Sequence, residues 1–380
     1  MTDTGSRAGE LWLLADDVED DLRASVRGVL EKHCPAERVI ACFDGDDSAS
    51  APAWSALARD LGLAALLVPE DLGGAGASAR EAGAVAEEIG WAVAPVPFLT
   101  SAVAVTAALV TLEGDDAGEL LGRLSSGEAT AALLLPATAR DAAGHGLAIR
   151  DGHISGSVRN VVGVAGGVPA DVLLVPVETD RGLALHGVPA DARGVTVEPV
   201  VSLDMTRPLA DVTLDGAPAA ALSTEDATAA LERGLRTAAG LLAREQVGVA
   251  AWCLDATVAY LKERRQFGRA VGGFQALKHR LADVYAEVES ARAAARYASA
   301  ALATDDPDVP VAVALAQAYC SDAAVHAAEE AVQLHGGIGM TWEHPAHLYL
   351  KRAKADQLLL GSPEAHRADL AALVDLPGGG

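Results

Sequence analysis

Apolar residues fall on one side of a helix from the first turns of this chain. Val18, Leu22, Val26 and Leu30 recur at spacings of four, Trp54, Leu57 and Leu61 follow, and the pattern predicts helix over most of Leu11 to about Leu112. The stretch Val68-Pro69-Glu70-Asp71-Leu72-Gly73-Gly74-Ala75-Gly76 interrupts it before a helix resumes over Ala79 to Glu88. No strand precedes Gly73 to Gly76, so those glycines read as a turn and not as a phosphate loop. Between about Thr130 and Gly216 the pattern shortens to apolar runs of strand length: Ala131 to Leu135, Gly146 to Ile149, Val172 to Val177, Gly182 to His186, Val195 to Val201 and Ala210 to Leu214. Gly, Pro and Asp separate them, and Asp151-Gly152 is a two-residue hairpin turn. Beyond Ser223-Thr224-Glu225-Asp226, a run of helix-capping residues, long helical patterns return at about Asp226 to Glu263, Phe274 to Thr304 and Val309 to Leu334, followed by a shorter pair. The order predicts an α+β fold with a helical domain over 1–128, a β domain of about six strands over 129–222 and a helical bundle over 223–375. Residues 377–380 read as a frayed tail.

Composition narrows the classes of function. At 380 residues and 51% hydrophobic content the chain has material for a large core. A net charge of −24 repels polyanions and argues against nucleic-acid or anionic-membrane partners; an anionic ligand needs a local basic patch. The four cysteines show neither a CxxC pair nor metal spacing, and predict buried thiols in a reducing compartment. Met1 to Leu14 lacks the basic start and apolar stretch of a signal peptide, and no apolar run nears the roughly 20 residues of a membrane span. The expected location is cytoplasmic.

Two segments carry candidate chemistry. In Arg264-Arg265-Gln266-Phe267-Gly268 the first arginine follows a helix with Ala251, Leu254, Val258 and Leu261 on one face, so its guanidinium is presented where that helix stops. A planar fork of donors there suits a pyrophosphate or carboxylate; the alternative is a surface ion pair with Glu263 or a neighbour. Gln275 can offer donor and acceptor to an adenine or ribose edge. Gln333-Leu334-His335-Gly336-Gly337-Ile338-Gly339 ends another helix, and its glycines suit either close backbone approach to phosphate or a helix C-cap. Trp342-Glu343-His344-Pro345-Ala346-His347 is not read as a metal site, because Pro345 spoils helical spacing of the histidines and no third ligand is evident.

Together these stretches resemble the acyl-CoA dehydrogenase family along the whole chain. Val68-Pro69-Glu70 with Gly73-Gly74, the Glu87-Glu88-Ile89-Gly90 helix, Arg264 to Gln275 with Ala282-Asp283, and Gln333 to Gly339 carry the likeness. The resemblance implies an N-terminal helical domain, a middle β domain and a C-terminal four-helix bundle, with FAD at a dimer interface and an acyl-CoA substrate. It also implies that Arg264, Phe267, Gln275, Gln333, Gly336 and Gly337 reach the adenine and pyrophosphate of a flavin seated in the neighbouring subunit. Family chemistry draws an α proton from the thioester with a carboxylate, and here the sequence departs. The usual position, before Gly361-Ser362, is Leu360; the alternative, on the first long C-terminal helix, aligns with Ala238. Glu245 lies roughly 10 Å along the axis from Ala238 and Glu232 is turned about 120° away, so neither replaces the base. Glu364 remains the marginal candidate, with a solvated acid at a helix start as its other role. The ring-binding segment expected near Leu134 to Gly146 reads Leu135-Pro136-Ala137-Thr138-Ala139-Arg140-Asp141, and the ring-packing aromatic and its threonine align near Asn160 and Val162. These departures predict a subunit that donates half of an FAD site to a complete homologous partner. The alternatives are a homo-oligomeric enzyme with a relocated base, and a scaffold of the same fold without cofactor.

Overall fold

A computed structural model describes residues 13–141, 146–223 and 225–376; the tail at 377–380 and the capping candidate Thr224 lie outside the described residues. Helix α1 (Asp17–His33) starts where the Asp16 carboxylate accepts the Glu19 N–H at 3.0 Å, and acids in its first turn favour the positive end of the helix dipole. Val26 and Leu30 are buried, whereas Val18, the first member of the apolar series, is exposed. Helices α2 (Ala36–Ala41) and α3 (Ser50–Ser55) follow. The single turn Glu70–Leu72 is closed by Gly73 at φ 83°, so this loop is the turn its glycines predict. Helix α4 (Ala79–Ala92) opens on a reciprocal Ser78–Glu81 capping box, and α5 (Thr106–Leu109) and α6 (Asp115–Ser125) complete the N-terminal helices.

Strands β1 (Ala131–Leu133), β2 (Ala148–Arg150), β3 (His153–Val162), β4 (Val172–Thr179), β5 (Gly182–Pro189), β6 (Val195–Val200), β7 (Leu209–Pro218) and β8 (Ala220–Ala221) form two four-stranded sheets, ordered β1-β4-β5-β8 and β2-β3-β7-β6. Asp151 and Gly152, at φ 50° and 75°, make the predicted hairpin, with Arg150 opposite His153. Strand β4 sends Leu173, Val175 and Val177 between the sheets and Val172 and Leu174 against the helices; both faces are covered, hence its unbroken apolar run. The sequence reading lacked β3. Bulges between Ile154 and Gly156 and between Val158 and Val161 space its buried residues four and three apart, so the alternation that marks a strand is lost.

Helix α7 (Thr228–Glu263) is the spine of the third part. It starts two residues later than predicted, because Asp226 stays outside and its carboxylate accepts from the Thr228 N–H. A hairpin of β9 (Arg265–Gln266) and β10 (Arg269–Ala270) leads to α8 (Gln275–Ala303), α9 (Val309–His335), α10 (Ala346–Asp356) and α11 (Pro363–Leu373). Helices α4 and α7 cross at backbone contact. A Cβ on Gly248 would lie 1.9 Å from the Glu87 carbonyl oxygen and one on Gly90 2.0 Å from that of Glu245, so only glycine permits the crossing. Among the described residues no helix is long and apolar enough to cross a membrane.

Two buried ionic clusters join the parts. Burial pushes the Glu87 carboxyl up, but Arg244 and Arg23, both at 2.9 Å, and Arg292 at 3.5 Å outweigh it and hold the group at about 2. The second cluster ties the loop between β6 and β7 to the bundle. Arg207 reaches Glu245 at 2.7 Å and Asp356 at 2.6 Å, while Arg352, itself wholly buried, holds Asp204 at 2.6 Å and Glu245 at 2.5 Å. Three acids face two arginines. Burial therefore pushes Asp356 up to about 7, with Arg207 pulling down and Glu245 pushing up. Because the folded state holds this proton more tightly than the unfolded chain, whose ordinary value is 3.8, the contribution of Asp356 is full below that value and is lost as pH rises towards 7. Asp356→Asn should flatten that part of the profile, read as urea midpoints at pH 5 and 7.5; an unchanged difference between the two midpoints would contradict the assignment.

Candidate functional site

The two glycine-bearing motifs meet at one end of the bundle. Helix α7 ends at Arg264, whose backbone N–H still reaches the Tyr260 carbonyl at 2.8 Å, and Val271 N–H bonds the Arg264 carbonyl at 2.7 Å to close the hairpin. Phe267 sits at its tip with φ 52° and 88% exposure, edge-on to Phe274 at 6.1 Å. Gln275 opens α8. On α9, Gln333 is exposed in the last turn, and Gly336 leaves the helix at φ 62°, ψ −138°, a conformation open to glycine. Tyr260, one turn before Arg264, stacks on His335 at 4.5 Å, which brings the two motifs side by side. Spacing alone carried no sign of that stack.

Arg264 takes no carboxylate partner among the described residues, so the ion pair weighed as its alternative role is not formed. Arg264, Arg265, Phe267, Arg269, Gln275, Gln333, Gly336 and Gly337 are all exposed. Arg269 lies over the Phe274 ring at 3.8 Å. In a chain of charge −24 this is a local patch of exposed guanidinium donors, the chemistry that holds phosphate oxygens.

The two positions where a carboxylate base was sought, Ala238 on α7 and Leu360 after α10, line one cavity of about 40 Å³ with Leu99, Leu135, Val162 and Leu359. None of its described lining residues is Asp or Glu. The stretch aligned with the ring-binding segment closes over it: Leu360 N–H donates to the Ala137 carbonyl at 2.8 Å, and His366 Nε2 donates to the Leu360 carbonyl at 2.9 Å. Arg140 lies across Gly361, where a Cβ would meet its Cδ at 2.1 Å, and pairs with Asp369. Nothing in the sequence pointed to that clamp, whose ends lie 229 residues apart. Asn160 sits at φ 54° in the β3 bulge, exposed, with its N–H on Asp211 at 2.9 Å. Leu360 and the stretch Ala139 to Asp141 also line an adjoining open cavity of about 390 Å³, with Glu232 and Asp369 on its wall.

The remaining carboxylates are elsewhere. Glu245 is buried in the cluster of Arg207 and Arg352, which hold it below the usual carboxylate range despite burial. Glu364 stands in the first turn of α11 with a side chain 77% exposed, 3.7 Å from Arg367. Hydrogen bonding to its own backbone N–H and to Ser362 keeps it ionised to lower pH than usual. It is the solvated acid at a helix start, and Glu364→Gln should leave acyl-CoA turnover of any assembly containing this chain within about twofold, as expected of an exposed site away from chemistry; a loss of two orders of magnitude would restore it as a base.

Comparison with known proteins agrees with the fold. The sequence profile of the acyl-CoA dehydrogenase N-terminal domain matches residues 16–128 and that of the C-terminal domain residues 228–374. The chain is similar to acyl-CoA dehydrogenase IpdE2 of Mycolicibacterium smegmatis, 36% identical over 360 residues that cover 93% of this chain and 97% of the relative. Among solved structures it is similar to a variant of the Tcur3481-Tcur3483 steroid ACAD, at 31% identity, TM-score 0.82 and coverage of 94% and 98%. It is also similar to a chain of the ChsE4-ChsE5 complex from Mycobacterium tuberculosis, at 26% identity, TM-score 0.85 and coverage of 97% and 100%. Helix, double sheet, helix, and the two motifs set together at one end of the bundle therefore have one explanation: the chain belongs to the acyl-CoA dehydrogenase family, FAD-dependent oxidoreductases acting on CH–CH bonds.

Proposed function

We propose that this chain is one subunit of an acyl-CoA dehydrogenase that desaturates the α,β bond of a CoA thioester with FAD, and that it lends Arg264, Phe267, Gln275, Gln333, Gly336 and Gly337 to a flavin seated in a homologous, catalytically complete partner. The asymmetry between its two half-sites carries the reading. One is an exposed patch of guanidiniums that take no carboxylate partner among the described residues; the other is a small apolar cavity of about 40 Å³ with Ala238 and Leu360 where a base belongs. Abstraction of a weakly acidic C–H needs a base fixed within reach in a dry site, and neither position supplies one. The relatives support the heteromer: Tcur3481-Tcur3483 and ChsE4-ChsE5 each pair two differently named chains, and the first is a steroid ACAD, which makes a steroid-type acyl group the proposed substrate class.

Expression alone and beside a homologue that retains the carboxylate tests this directly. The lone chain should purify without flavin, and the pair should co-purify with bound FAD and dehydrogenase activity. A lone chain that binds FAD and desaturates acyl-CoA would overturn the proposal, and a colourless, inactive pair would favour a scaffold.

A further inference from the structure

Around the Gly336–Met340 turn the end of α9, the following loop and the first turn of α10 pack three imidazoles together. His335 Nδ1 donates to the Ala331 carbonyl at 2.7 Å, and its ring lies 4.4 Å from that of His344. His344 Nδ1 accepts the Ala346 N–H at 3.3 Å, one of the otherwise unpaired donors at the start of α10. His347 Nε2 donates to the Trp342 carbonyl at 2.9 Å, and its Nδ1 faces the Lys351 ammonium at 3.4 Å. A nitrogen that accepts a bond carries no proton, so His344 and His347 are neutral as they stand. Trp342 stacks on the His347 ring at 4.6 Å, and Lys351 lies 4.1 Å from both the Trp342 and Phe43 rings.

We propose that His335, His344 and His347 form a proton-sensitive clasp on the Gly336–Met340 turn, so that this chain loosens its hold on the partner's flavin in acid; the flavin part rests on the function proposed above. Protonating His344 removes the acceptor of the Ala346 N–H and sets a cation beside His335. Protonating His347 sets one against Lys351. The other groups facing the clasp are the Tyr260 phenol from α7 and Asp204, whose charge acts on Lys351 from the β domain; Glu343 points to solvent. Burial is the first cause that holds all three imidazoles below their ordinary value of 6.5, with His335 and His347 adding to it at His344 and Lys351 at His347. A depressed imidazole contributes fully above 6.5 and loses that contribution as pH falls below it, so the clasp is closed at neutrality and opens in acid.

The test has two arms. In the lone chain, Trp342 fluorescence, taken as wild type minus Trp342→Phe, should titrate below pH 6.5. That titration should vanish in the double variant His344→Asn with His347→Gln, which keeps the acceptor and the donor but cannot take a proton. In the co-purified pair, FAD release should be several-fold faster at pH 5.5 than at 7.5, and flat across that range in the double variant. Absence of the Trp342 titration overturns the clasp, as does release that is equally fast at both pH values in wild type. A pair that carries no FAD overturns the underlying function instead, and is told apart because the fluorescence titration persists.

Discussion

Arg352→Met is expected to destabilise the chain by about 3–5 kcal/mol, the range for breaking a buried ion pair by removing one partner. The guanidinium donates to three groups at once, to Asp204 at 2.6 Å and to Glu245 and Thr206 at 2.5 Å, all in the interior. A methionine of similar length fills the space but leaves Asp204 without its ion-pair partner and Glu245 sharing Arg207 with Asp356. Because Asp204 and Thr206 belong to the β part and Glu245 and Arg352 to the bundle, the loss falls on the junction between them. Denaturant midpoints of the purified chain would read it. A shift below about 1 kcal/mol would mean that Arg207 and protonation of Asp356 absorb the change, and that the cluster contributes little net stability.

Arg264→Ala should behave in the opposite way, with little change in folding and a large change in cofactor retention. Its side chain is exposed and unpaired, so stability should move by no more than about 0.5 kcal/mol. Charge-assisted hydrogen bonds to a phosphate are each worth about 1.5–3 kcal/mol, which corresponds to roughly 10- to 150-fold weaker FAD binding in the assembled pair. Flavin absorbance retained after serial dilution would measure it. Unchanged retention would show that the exposed arginines serve some purpose other than gripping the dinucleotide.

Much of this fold was legible because its helices and doubly covered strands announce themselves. The four-residue spacing ending in Val26 and Leu30 and the continuous apolar run of β4 follow from which faces are buried. Strand β3 was not legible, because two bulges break the period on which any such reading depends. The motifs around Arg264 and Gly336 were visible as types of residue at helix ends; their adjacency was not, since it depends on Tyr260 stacking against His335 from another helix. Glu245 shows the limit most clearly. Sequence reasoning weighed it only as a base and set it aside on helical distance, whereas its partners Arg207 and Arg352 lie 38 and 107 residues away, where no local pattern reaches.

On the function proposed above, the apolar cavity beneath Leu360 has an evolutionary consequence. Once a partner supplies the acid, a leucine or alanine in a dry pocket packs better than an unpaired carboxylate, whose burial disfavours the ionised form and raises its pKa. Here the Leu360 N–H is tied to the Ala137 carbonyl and Arg140 lies over Gly361, so the space around that position is already occupied. The change works as a ratchet. On the function proposed above, restoring a glutamate at that spot by a single codon would meet apolar walls, and a lineage that leaned on its neighbour in this way would have no short road back to self-sufficiency.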